Sequence, residues 1–124
     1  MFLSIKGNSF SVGDRIVFLK GVGLGGWLNL EHFLLGIPGT ETEIKTAFKD
    51  VWGAEKAALF WKTYREIFIG TKDIQLMSKL GFNCLRLPVN ARLFTENDVS
   101  ESTSFENSVA ICELDRIISL CESV

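Results

Sequence analysis

The stretch Thr71–Pro88, T-K-D-I-Q-L-M-S-K-L-G-F-N-C-L-R-L-P, decides the fold. Ile74, Met77 and Leu80 recur at helical spacing and form the apolar edge of a helix from about Lys72 to Leu80, with Thr71 as its cap. Gly81 supplies the left-handed residue that ends such a helix. Phe82-Asn83-Cys84-Leu85-Arg86-Leu87-Pro88 then reads as a strand. Helix, glycine, strand is the α-to-β step of a parallel α/β fold.

Upstream, Thr40 and Glu43 have capping-box spacing, which predicts a helix to about Val51. Gly53 interrupts it, and a second helix runs from Ala54 to Ile69, with Ala57, Phe60, Trp61, Tyr64 and Phe68 on one face. That aromatic stripe is expected to be core packing. The N-terminus reads as a hairpin: Leu3-Ser4-Ile5 and Phe10-Ser11-Val12 flank Gly7-Asn8, and Ile16 to Leu19 follow a second turn at Gly13-Asp14. Downstream, residues 95–106 are polar and loop-like. Val109 to Ser123 has the pattern of a final amphipathic helix with Ala110, Leu114, Ile117, Ile118 and Cys121 on one side. At most two core strands are visible, too few to close a sheet, so the 124 residues read as part of a larger domain.

Composition narrows the function classes. The chain is 47% hydrophobic with ten Phe and three Trp, which excludes disorder. Its net charge is −2 with both signs interspersed, so no electrostatic footprint for nucleic acid exists. No apolar run approaches a membrane span, and the start lacks a signal-peptide pattern; as given, the chain reads as intracellular. Cys112 and Cys121 fall on one predicted helix, roughly 13 Å apart along its axis, too far to bridge. Cys84 reads as a small buried hydrophobe, and no C-x-x-C spacing suggests a metal site.

Gly21, Gly23 and Gly26 spell G-x-G-x-x-G after an apolar run, the nominal fingerprint of a dinucleotide turn. The context is wrong: Gly36 and Pro38 break the segment before a long helix can form, and the place of the second strand carries a helix start at Glu41 to Lys49. The glycines hand instead to Trp27, Asn29, Glu31 and His32. A large aromatic beside hydrogen-bonding side chains is the chemistry of a sugar site. From composition alone, Trp27 packing under the first strand is the stronger reading.

Three blocks carry a resemblance that changes this weighting: Gly21–Glu41 (G-V-G-L-G-G-W-L-N-L-E-H-F-L-L-G-I-P-G-T-E), Phe68–Asn90 (F-I-G-T-K-D-I-Q-L-M-S-K-L-G-F-N-C-L-R-L-P-V-N) and Leu114–Cys121 (L-D-R-I-I-S-L-C). In this order they resemble the first strand and loop, the first helix and second strand, and the helix before the third strand of glycoside hydrolase family 5, near its glucanase branches. The G-F-N-x-x-R-x-P motif is the most specific. The resemblance implies the N-terminal part of a (β/α)8 barrel of about 250 residues: a β-hairpin over 1–19, then roughly two βα units over 20–124. It also implies hydrolysis of β-glucosidic bonds in a β-glucan or oligosaccharide with retention and no cofactor. The complete protein is expected to be monomeric. The two catalytic glutamates of such enzymes, about 5–5.5 Å apart, lie on later strands. The chain has no Asn-Glu dipeptide, and the segment alone is expected to be inactive. The alternative is a non-catalytic carbohydrate-binding or remnant module; a dinucleotide-binding domain ranks below it.

By the same resemblance, Arg86 ends the second strand and supports the nucleophile. Its setting between Leu85 and Leu87 suggests a barrel-interior position, where lack of a partner would leave the isolated piece poorly folded. Trp27, Glu31, Phe33 and Asn90 are the candidate substrate-binding residues. His32 stands where the branch often has proline and reads as a loop residue; Gly23 replaces a common asparagine, and Ala91 a common aromatic.

Overall fold

A computed structural model describes residues 2–95 and 105–124. The chain begins with an antiparallel meander, β1 (Leu3–Lys6), β2 (Ser9–Val12) and β3 (Arg15–Val17). Lys6 pairs with Ser9 and Val12 with Arg15, which leaves two-residue loops opened by Gly7 and Gly13 at φ 63° and 61°. That glycine-first turn matches the twist of the flanking strands. The run expected after the second turn, Ile16 to Leu19, forms a third strand that pairs with β2 and stops at Val17.

Next come β4 (Gly21–Gly23) and β5 (Cys84–Arg86), which pair in parallel with Gly23 opposite Arg86. Between them run α1 (His32–Leu35), α2 (Glu41–Trp52), α3 (Ala54–Phe68) and α4 (Thr71–Lys79); α5 (Val109–Glu122) follows. Asn83 stitches the meander to this pair, accepting from Lys20 N at 2.8 Å and donating to Phe18 O at 2.8 Å. Both contacts lie just before β4 and β5 begin. The meander therefore sits at the N-terminal end of the parallel strands, away from the loops that leave their C-terminal ends.

Local chemistry explains the helix boundaries. At α2, Glu43 N donates to Thr40 Oγ1 and Thr40 N donates to Glu43 Oε2, so both halves of the capping box form. At α4, Phe82 N donates to Met77 O and Gly81 N to Ser78 O around Gly81 at φ 80°, a Schellman stop. Its start differs from the expectation: Gly70 is the cap and Thr71 is already helical, because Asp73 Oδ2 takes up the Gly70 N–H at 2.8 Å. Ser108 caps α5 through the Ile111 N–H. Most of the polar stretch 95–106 lies outside the described residues.

The main core joins Leu24, Trp27 and Leu28 from the loop after β4 to Ile69, Ile74, Leu93, Val109, Ala110 and Ile117. A second cluster pairs α2 with α3. Phe48 inserts among Trp52, Phe60 and Trp61 with ring centroids 4.8, 5.0 and 4.9 Å away, respectively. The aromatic stripe of α3 is therefore packing, as its spacing suggests, although its end Phe68 is exposed. On α5, Ile118 and Cys121 are exposed rather than buried. They border a groove of about 360 Å³ with Leu85, Leu87 and Ile117, over which the described residues place no further layer. Cys84 is half-buried, and all three cysteines are free thiols. No described helix is long and apolar enough to cross a membrane.

Candidate functional site

Parallel strands gather function at their C-terminal ends, where loops can vary without disturbing the sheet. Here the segment leaving β4, which runs into α1, carries Trp27, Glu31 and Phe33, and the segment leaving β5 carries Asn90. Leu24 N donates to Arg86 O at 2.9 Å, and Asn90 N donates to Leu28 O at 2.8 Å, so the two exits are bonded side by side.

Arg86 ends β5 and is exposed. Alternation along the strand sends Leu85 and Leu87 towards the helices, where both pack on the core. Arg86 takes the opposite face, which no described element covers. Its guanidinium has no hydrogen bond or ion pair among the described residues. The expected burial is corrected on this point: a charge in water carries no desolvation cost, so Arg86 gives no reason for poor folding.

Trp27 is corrected more strongly. It is 2% exposed, its indole Nε1 donates to Arg65 O at 2.9 Å, and the Arg116 guanidinium lies 5.2 Å above its ring. A ring so enclosed cannot stack on a sugar. Trp27 instead anchors the β4 loop to α3 and α5. Tyr64, also on α3, holds the same loop by donating to Gly26 O, and burial pushes its phenol up.

Glu31 is half-buried at the start of α1 and offers its backbone carbonyl to Leu34 N and Leu35 N. Its carboxylate lies against Gly25, where an added Cβ would come within 2.7 Å of Glu31 Oε2 and 2.9 Å of Leu34 Cδ1. Only glycine lets the carboxylate sit there. Alanine at 25 is therefore expected to displace the Glu31 side chain while costing little stability, because both obstacles are ends of flexible side chains. The Glu31 carboxyl 13C resonance should shift with an almost unchanged Tm. Phe33 is 70% exposed, with His32 edge-on at 5.6 Å. Its ring is open to solvent, as that of Trp27 is not.

Asn90 is engaged on both ends of its amide. Nδ2 donates to Glu41 Oε2 at 2.8 Å, and Oδ1 accepts from Arg92 N at 3.0 Å. Glu41 Oε2 also takes the Leu30 N–H at 3.1 Å, while Oε1 pairs with Lys45 at 2.9 Å. Glu41 thus ties α2 to both strand exits. Burial opposes its ionisation, but the hydrogen bonds from Asn90, Lys45 and Leu30 N, with the Lys45 charge, outweigh it and hold the carboxyl below the usual carboxylate range. A depressed pKa makes the stabilisation complete above the unfolded value, about 4.5, and lost as pH falls through the lower folded value. Glu41→Gln should therefore lower Tm at pH 7 and flatten the fall in Tm below pH 4.5; an unchanged acid limb would contradict this.

Sequence reading missed Glu41 as a site organiser and Arg116 altogether. Arg116 donates to Glu113 Oε2 at 2.7 Å, Ile69 O at 2.9 Å and Arg65 O at 3.1 Å, besides covering Trp27. The Glu113–Arg116 spacing was a visible signal, but pairs at that spacing usually lie in solvent. The G-x-G-x-x-G run has no dinucleotide geometry here: Gly21 and Gly23 are strand residues, and the helix that follows is the single turn α1. Among the described residues no group of three or more His, Cys, Asp or Glu could hold a metal.

Comparison with known proteins places this geometry in context. No family model matches the chain, and no solved structure matches it. It is 41% identical over 121 residues to a β-xylosidase of Phanerodontia chrysosporium, covering 97% of this chain and 25% of that protein. It is 33% identical over 75 residues to a probable glucan 1,3-β-glucosidase A of Emericella nidulans, covering 57% of this chain and 18% of that protein. The chain thus spans a quarter or less of the length of these relatives. Both bear the names of glycoside hydrolases, and the chain is a homologue of a segment of such enzymes.

Proposed function

We propose that the chain forms the opening part of a retaining β-glycosidase of family 5 type, and that β4 and β5 are the first two strands of a (β/α)8 barrel. The similarity to the β-xylosidase along 97% of the chain carries this reading. The fold supports it in two ways. The strand pair is parallel and helix-covered on one face, with β5 unpaired on its outer edge among the described strands. The apolar groove between β5 and α5 is where a next strand would pack.

The site chemistry follows from the strand ends. Arg86 faces what would be the barrel interior and can hold a catalytic carboxylate supplied by a later strand. A guanidinium beside it favours the ionised form by about 1–3 pKa units, as a nucleophile requires. Glu31 offers acceptors for sugar hydroxyls and Phe33 an exposed ring. Asn90 acts mainly by joining the two loops through Glu41. The substrate is a β-linked glucan, xylan or derived oligosaccharide. The two relatives' names differ in the sugar, and xylose lacks the hydroxymethyl group of glucose.

Assay of a longer polypeptide carrying this segment tests the reading. Hydrolysis of p-nitrophenyl β-D-glucoside, β-D-xyloside or β-1,3-oligoglucosides is expected, and inertness towards all of them would refute it. The 124 residues alone are expected to hydrolyse none of them.

A further inference from the structure

Beside the proposed sugar site lies a polar pocket of about 200 Å³ between α2 and the segment after β5. It is lined by Glu41, Thr42, Lys45, Thr46, Lys49, Asn90 and Arg92. In a chain of net charge −2, three of these seven are cations. The one carboxylate is already matched, since Lys45 takes Oε1 and Asn90 with Leu30 N takes Oε2. Lys49 and Arg92 are left as net positive charge. Arg92 is exposed and spends Nη1 on Thr42 Oγ1 at 2.7 Å. Its fork has five donors, enough to take a carboxylate in addition.

We propose that this pocket binds the carboxylate of an acidic sugar, a uronic acid unit carried by or linked to the glycan substrate. The inference rests on the glycosidase reading for the presence of a glycan. The pocket adds the charge preference. Its volume suits one small group rather than a chain segment, since sites for drug-sized ligands start at about 300 Å³. Asn90 belongs to both places: it lines the pocket, and its backbone N–H bonds Leu28 O where the strands exit, so the pocket adjoins the segment that leads to Glu31 and Phe33. Thr42 and the second Asn90 amide hydrogen are neutral partners for sugar hydroxyls, which a plain anion site does not need.

The test is titration of the chain, followed by 1H–15N correlation spectra, with methyl β-D-glucuronide, methyl β-D-glucoside and inorganic phosphate. Saturable shifts at Thr42, Lys49 and Arg92 are expected with the glucuronide, at about tenfold higher affinity than with the glucoside, the worth of one charge-assisted pair. The double variant Lys49→Gln with Arg92→Gln should lose that preference and keep its Tm, because both side chains are exposed. Equal binding of glucoside and glucuronide, no saturable shift, or phosphate binding as tight as the glucuronide would each overturn the proposal. Hydrolysis of neutral glycosides by the longer polypeptide separates the two ideas: if it fails while glucuronide still binds, the glycosidase reading falls and the acidic-sugar site stands.

Discussion

Replacing Trp27 by alanine is expected to destabilise the chain by about 3–5 kcal/mol, the usual range for a buried tryptophan. Trp27 lies between the β4 loop, α3 and α5, and its removal opens a cavity in the core it shares with Leu24, Leu28 and Ile117. It also strips a hydrogen bond from Arg65 O and the aromatic face from Arg116. Trp27→Phe should lose less, roughly 1–2 kcal/mol, because it keeps most apolar contact and forfeits mainly the indole bond. Denaturant midpoints at constant slope would measure both. If Trp27 were a sugar platform, alanine would instead leave stability intact and abolish saccharide binding, and that outcome would contradict the placement described here.

Arg86 should behave in the opposite way. In this chain Arg86→Ala is expected to leave Tm unchanged, since the side chain is exposed. In a longer, active polypeptide the same change should lower kcat by about 10²-fold, the loss typical of one donor preorganised for catalytic charge. KM should move little, because the arginine is proposed to touch the nucleophile and not the sugar. The acid limb of the pH profile should rise by about 1–3 units, as the carboxylate loses the charge that keeps it ionised. A fall in rate with no movement of that limb would point to a positional role only. Arg86→Lys should restore part of the pH profile and less of the rate, since an ammonium supplies charge without the planar fork.

The contrast between these two residues shows where the sequence is legible. Helix boundaries at Thr40 and Gly81 are written in local chemistry, a capping pair and a left-handed stop, and both form as read. The parallel pairing of β4 with β5 follows from a helix–glycine–strand step. Burial is less legible because it depends on what lies across space. Trp27 and Phe33 are both aromatics on the one segment that leaves β4, yet one is enclosed and the other is 70% exposed. Residues that arrive from across space separate them: Arg65 and Arg116, from α3 and α5, meet Trp27, and Ile69, Val109 and Ile117 share its core. The Glu41–Asn90 bond joins residues 49 positions apart, beyond the reach of any periodicity. Arg86 was legible as a strand-end cation, but its exposure reflects a face that no described residue covers. The same holds for Ile118 and Cys121, apolar by pattern and open to solvent along the groove beside β5.

The central claim is that the C-terminal ends of β4 and β5 form one corner of a sugar site. A crystal structure of the longer polypeptide with a bound β-linked disaccharide tests it most directly. The account predicts a third parallel strand against the free edge of β5, Arg86 bonded to a carboxylate from a later strand, and the sugar against Phe33 and Glu31. A saccharide bound elsewhere, with Arg86 still in solvent and β5 still at an edge, would contradict it.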